Sequence, residues 1–163
     1  MRTYYAKENI LPNQQAMELW YQELQDIPYD VAVAGLRQWV ATNKWSPSIA
    51  EIREMTSTVQ HGELPDWGEG WEQVLMAIRK YGMYQVGEAM ASLDGITKQC
   101  VERLGFRNLC LSEDINQDRA NFRMIYEQLQ ERKKKDNQLS IPLKEVIYGI
   151  QQRQEAKQLE MKE

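Results

Sequence analysis

A chain of 163 residues with 42% apolar side chains has enough material to bury a core, as one domain or as two small ones. Its net charge of −4 and charged fraction of 27% lack the overall basic excess of a stand-alone duplex DNA binder, which lowers the expectation of nucleic-acid binding without removing it. No apolar run approaches the roughly 20 residues that cross a bilayer, and the polar residues between Met1 and Ile10 do not make a signal peptide, so the expected location is the cytoplasm.

Apolar residues recur three and four apart, and no two alternating runs are joined by a hairpin turn. The expected fold class is therefore all-α. Met17, Trp20, Tyr21 and Leu24 share one face of a helix from about Asn13 to Gln25, which Pro28 stops. Val33, Leu36 and Val40 form the stripe of a second helix, Tyr29 to about Asn43, with Ala32 and Trp39 beside it. Ser48 and Glu51 have the spacing of a capping box, so a third helix is expected from Ser48 to about Ser57. Trp20, Leu24, Leu36, Trp39, Val40, Ile49 and Ile52 are the expected core of this three-helix module.

The turn-forming stretch His61-Gly62-Glu63-Leu64-Pro65-Asp66 marks a boundary. The expected organisation is an N-terminal helical domain over residues 1-60, a linker over 61-67, a C-terminal helical domain over 68-138, and an amphipathic helix or tail over 139-163. In the second domain Trp71, Val74, Leu75 and Ile78 define a helix ending near Tyr81-Gly82. Shorter helices are expected over Gln85 to Ser92, Ile96 to Leu104 and Asn108 to Leu111. Phe122, Ile125, Tyr126 and Leu129 then lie on one longer helix, Ile115 to about Lys135. After a break and Pro142, the residues Leu143, Val146, Ile147 and Ile150 make a last stripe.

The residues offer little chemistry. His61 stands in the linker without cysteines or carboxylates at ligand spacing, and the glycines Gly68 and Gly70 follow no strand and precede no Gly-Lys-Ser/Thr, so neither a metal site nor an ATP site is expected. Cys100 and Cys110 read as reduced core filling. Without a base near any Ser or Cys, no enzyme activity, metal or cofactor is expected, and the chain should work by binding macromolecules.

The candidate contacts follow from that. Trp45 and Trp67 lie in or beside loops, where an aromatic anchors either another element or a partner. The stripe Leu143, Val146, Ile147, Ile150 either folds back onto its own domain or is presented to a partner groove. Any nucleic-acid contact would fall on Arg119, Arg123, Arg132, Lys133, Lys134 and Lys135. The same basic run also suits a helix C-terminus, where cations offset the macrodipole, and Glu127, Glu131 and Asp136 dilute its field.

Trp20-Tyr21, the bend Asp26-Ile27-Pro28-Tyr29-Asp30, and the string from Leu36-Arg37-Gln38-Trp39 through Trp45-Ser46-Pro47-Ser48-Ile49-Ala50-Glu51-Ile52-Arg53 carry a further signal. Together they resemble the N-terminal domain of the phage replicative helicase loader and inhibitor family. The segments Trp71 to Leu75, Arg79 to Gly82 and Ser112 to Phe122 resemble extensions in longer phage and prophage members. The resemblance implies an adaptor that binds the DnaB-type replicative helicase hexamer, holds it inactive and delivers it to an origin-bound initiator, without hydrolysing ATP. It also implies initiator contact through the N-terminal domain and helicase contact through the C-terminal part. The alternative is a DNA-binding replication or regulatory module. Residues 1 to 66 hold five basic and nine acidic residues, a balance that suits a protein partner better than phosphates.

Overall fold

The computed structural model of the protein describes Tyr5 and residues 11–160, the side chains of 156, 159 and 160 excepted. Those residues form nine α-helices and no strand: α1 (Gln14–Leu24), α2 (Tyr29–Thr42), α3 (Ile49–His61), α4 (Trp67–Tyr81), α5 (Val86–Ser92), α6 (Gly95–Leu104), α7 (Phe106–Leu111), α8 (Ile115–Gln138) and α9 (Ile141–Glu160). The all-α expectation is borne out. The chain divides into two compact units, one of Met1–Gly62 with Asn137–Glu163, the other of Glu63–Asp136. The segment after Asn137 thus groups with the N-terminal helices rather than with the residues that immediately precede it.

In the N-terminal unit each of two helices starts where a side chain can take an orphan N–H. Asn13 Oδ1 accepts from the Ala16 amide at 2.8 Å and opens α1. The capping box at α3 is complete: the Glu51 N–H donates to Ser48 Oγ at 3.3 Å, and the Ser48 N–H donates to Glu51 Oε2 at 2.7 Å. The Ser48 amide, and after it the Ser48 hydroxyl at 2.8 Å, donate to the Glu51 carboxylate and hold it below its ordinary value. α3 runs past Ser57 to His61, where Gly62 at φ +71° ends it with its N–H on the Thr58 carbonyl at 2.9 Å; the hydroxyls of Thr56 and Thr58 are satisfied on the way by the carbonyls of Ile52 and Glu54 at 2.8 and 3.1 Å.

The core of this unit is thin. Of the seven residues expected there only Ile52 is fully buried; Trp20, Leu24, Leu36, Trp39, Val40 and Ile49 are half-buried. Gly35, Pro47 and Thr56 are buried with Ile52. The α1 stripe is split, with Trp20 and Leu24 turned inward and Met17 and Tyr21 exposed at 46% and 68%.

The unit of Glu63–Asp136 has the larger core. Trp71, Val74 and Ala77 of α4 meet Ala89 and Leu93, Cys100 and Val101 of α6, Phe106 and Leu109 of α7, and Phe122, Tyr126 and Leu129 of α8. Trp71 and Phe122 stack at 5.3 Å between centroids, and Phe122 and Tyr126 at 5.5 Å, tilted as aromatic pairs prefer. The Tyr126 hydroxyl donates to the Pro65 carbonyl at 3.1 Å, and burial pushes its pKa up to about 12. Burial likewise raises the Cys100 thiol to about 11, which leaves it protonated and unreactive at neutral pH. Both cysteines are free.

Gly70 of α4 leaves room for side chains of α6 and α8. A Cβ there would stand 2.6 Å from Tyr126 Cε2, 3.0 Å from Thr97 Oγ1 and 3.3 Å from Phe122 Cζ, all on fully buried side chains. Gly70→Ala is therefore expected to destabilise this unit by about 2 kcal/mol, because overpacking outweighs the roughly 1 kcal/mol that alanine gains in a helix interior. A urea titration checks it, and a gain in stability would contradict the packing described.

Candidate partner-binding surfaces

Trp45 sits on the turn between α2 and α3. The turn is rigid for two reasons: the Trp39 indole N–H donates to the Trp45 carbonyl at 2.8 Å, and Pro47 two residues on is buried. The backbone of Trp45 is thereby held while the residue stays 74% exposed. A large aromatic held out on an ordered turn loses little entropy when a partner covers it.

Trp67 is placed differently. It is the first residue of α4 rather than a loop residue, and Asp66 caps that helix by accepting from the Glu69 N–H at 2.9 Å. Its half-buried ring carries the guanidinium of Arg119 at 5.1 Å and that of Arg123 at 5.0 Å, both from α8. Arg123 also donates to Glu127 at 2.7 Å. One candidate aromatic and two candidate basic residues are thus brought together, with the cations engaged by the ring and by a carboxylate. Such contacts hold side chains in place and contribute about 0.5–1 kcal/mol each when exposed.

Arg132, Lys133, Lys134 and Lys135 lie exposed along the last turns of α8. Lys135 pairs with Glu131 at 3.2 Å on the same helix. The four sit where the C-terminal end of a helix favours cations.

The last stripe lies on α9, which reaches Glu160. Leu143, Val146 and Ile150 are exposed at 42%, 57% and 44%, while Ile147 between them is half-buried. The stripe therefore docks along one edge only, and a row of three aliphatic side chains spaced for one helix face remains open to solvent. Ile141 and Tyr148 add 60% and 63% exposed surface on neighbouring turns.

Sequence reasoning did not mark the ion pair behind this helix. Arg53 of α3 and Asp26 of the bend after α1 meet at 2.6 Å, with side-chain exposures of 11% and 13%. Burial alone would raise the Asp26 carboxyl, but the bonds it accepts from Arg53 and from the Ile141 amide, with the guanidinium's charge, hold it below the ordinary value. A depressed carboxylate contributes stability at every pH above its unfolded value near 3.8 and loses it only as pH falls through the lower folded value. At neutral pH the pair is intact.

Residues 1–53 match the family model for the N-terminal domain of the phage helicase loader and inhibitor. Over these residues the chain is similar to the loader/inhibitor N-terminal domain. This bears out the resemblance to that family over the first third of the chain. No curated protein and no solved structure matches the chain. The matched domain takes in Trp45, the capping box and, as its last residue, Arg53. Its family binds a replicative helicase and is not itself catalytic. Among the described residues, no three His, Cys, Asp or Glu side chains come together as a metal site, and no helix is long and apolar enough to cross a membrane.

Proposed function

We propose that the chain is a phage or prophage DNA-replication adaptor that binds the hexameric DnaB-type replicative helicase, inhibits it, and delivers it to an origin-bound initiator. The observation that carries this reading is the loader/inhibitor N-terminal domain over residues 1–53, joined in one chain to a helix with an open aliphatic row. Leu143, Val146 and Ile150 have the spacing with which an amphipathic helix enters a hydrophobic groove. They are the proposed helicase contact, with Ile147 completing the stripe from its inner edge.

Trp45 is the proposed anchor for the initiator. Its ring touches solvent more than protein, so Trp45→Ala is expected to shift unfolding by no more than about 0.5 kcal/mol. The same change should weaken capture of the initiator by about thirtyfold, the cost of about 2 kcal/mol for a lost aromatic anchor. Titrating the initiator against both forms by calorimetry checks this, and equal affinities would remove Trp45 from the interface. The DNA-binding alternative has less to draw on, since Arg119 and Arg123 are stacked on Trp67 and Lys135 is paired with Glu131.

A further inference from the structure

The start of α9 is tied to the N-terminal helices by a node that the proposed helicase contact does not use. The first turn of a helix has amide donors with no partner inside the helix. In α9 the Ile141 N–H donates to Asp26 Oδ2 at 3.1 Å, Pro142 has none, and the Leu143 N–H donates to Ser140 Oγ at 3.3 Å. The ladder then begins, with the Lys144 N–H on the Ser140 carbonyl at 3.0 Å. One of the two side chains that satisfy the turn, Asp26, lies 115 residues away in sequence.

Asp26 is in turn held by Arg53, whose Nη atoms donate to its two oxygens at 2.6 and 3.4 Å. The same guanidinium donates to the Glu23 carbonyl in the last turn of α1 and to the Gln138 carbonyl at the end of α8, the latter at 3.5 Å. An anion thus faces the N-terminus of α9 and a cation faces the C-terminal carbonyls of two helices, each where the helix dipole favours it. Water hardly reaches the pair, so removing one partner leaves a poorly solvated charge. The outer aliphatic row of α9 is open, so apolar burial does little to hold the helix down.

We propose that the Asp26–Arg53 pair is a latch that docks the first turn of α9 onto the N-terminal helices, making the C-terminal helix a releasable arm governed by this one node. The latch is a property of the chain alone and does not depend on which partner α9 meets. While latched, the arm is already ordered and a partner bears less of the ordering cost; once released, it can be drawn away from the helices that carry it.

Amide hydrogen exchange on the full chain tests the latch with two variants. Ile141→Pro deletes the one N–H that Asp26 accepts from α9, at a first helical position that suits proline, and leaves the Asp26–Arg53 pair untouched. Asp26→Asn removes the charge. Both are expected to speed exchange of the amides from Lys144 to Tyr148 at least tenfold, while the amides of Ile52 to Thr56 keep their wild-type rates. Wild-type rates from Lys144 to Tyr148 in Ile141→Pro would overturn the latch, as would unprotected amides there in the wild type. If Asp26→Asn also speeds exchange at Ile52 to Thr56, the N-terminal helices themselves have loosened, and Ile141→Pro alone decides.

Discussion

Replacing Phe122 by alanine should cost the unit of Glu63–Asp136 about 4 kcal/mol, within the range of buried Phe→Ala substitutions. Phe122 is fully buried in the middle of α8, with Trp71 on one side at 5.3 Å and Tyr126 on the other at 5.5 Å. The backbone of Gly70 closes the same space, because α4 approaches there without a side chain. Two rigid rings and a helix backbone cannot collapse into the hole, so the cavity cost adds to the lost transfer energy. A domain of this size is held by only about 5–15 kcal/mol, so the loss is a large part of its stability. Met124, two residues along on the opposite face, is 57% exposed, and Met124→Ala should change stability by no more than about 0.5 kcal/mol. Urea unfolding followed by tryptophan fluorescence checks the pair, and similar midpoints for the two variants would contradict the assignment of the core.

The second large effect is expected on binding. Changing Leu143, Val146 and Ile150 together to aspartate should abolish a helicase complex while leaving the fold in place. Each of these side chains is already more than two-fifths exposed, so the unbound protein loses little burial. In a groove each would bury its remaining surface, at about 1.5–3 kcal/mol for a fully buried aliphatic side chain, and every 1.4 kcal/mol is about a factor of ten in affinity. Three carboxylates in the same groove would also have to shed water without a partner. Co-elution with the helicase at wild-type strength, with circular dichroism unchanged, would move the contact off this face of α9.

Much of the fold is legible in the sequence because it rests on local rules. The Ser48 and Glu51 spacing places the start of α3, and the stripe from Trp71 to Ile78 places α4. Where α3 runs on past Ser57 the signal is local but easily missed: Thr56 and Thr58 read as poor helix formers, yet their hydroxyls are satisfied by carbonyls one turn back, and the stop is the left-handed Gly62. Periodicity also says which residues share a face without saying whether anything covers it. Met17 and Tyr21 share the face of Trp20 and Leu24 but extend beyond the cover that their unit provides. Leu143, Val146 and Ile150 are open for the same reason.

The candidate site was legible in part. Trp45 stands out as an aromatic next to a turn, and its exposed ring fits that reading. Trp67 looks alike in sequence, but the two guanidiniums over its ring come from residues 52 and 56 positions later, a pairing no spacing rule encodes. Asp26, Arg53 and Ile141 are less visible still. An acidic residue in a bend, an arginine on a helix and an amide before a proline are each ordinary alone, and only the fold brings them within hydrogen-bonding distance.

The most direct measurement is the mass of the complex formed when the full chain is mixed with a bacterial DnaB-type helicase hexamer, by size-exclusion chromatography with light scattering. The experiment is run with the intact chain and with Leu143 to Glu163 removed. A complex heavier than the hexamer is expected with the intact chain, and the hexamer alone with the shortened one. No complex between the intact chain and helicases from its plausible hosts would contradict the adaptor reading itself.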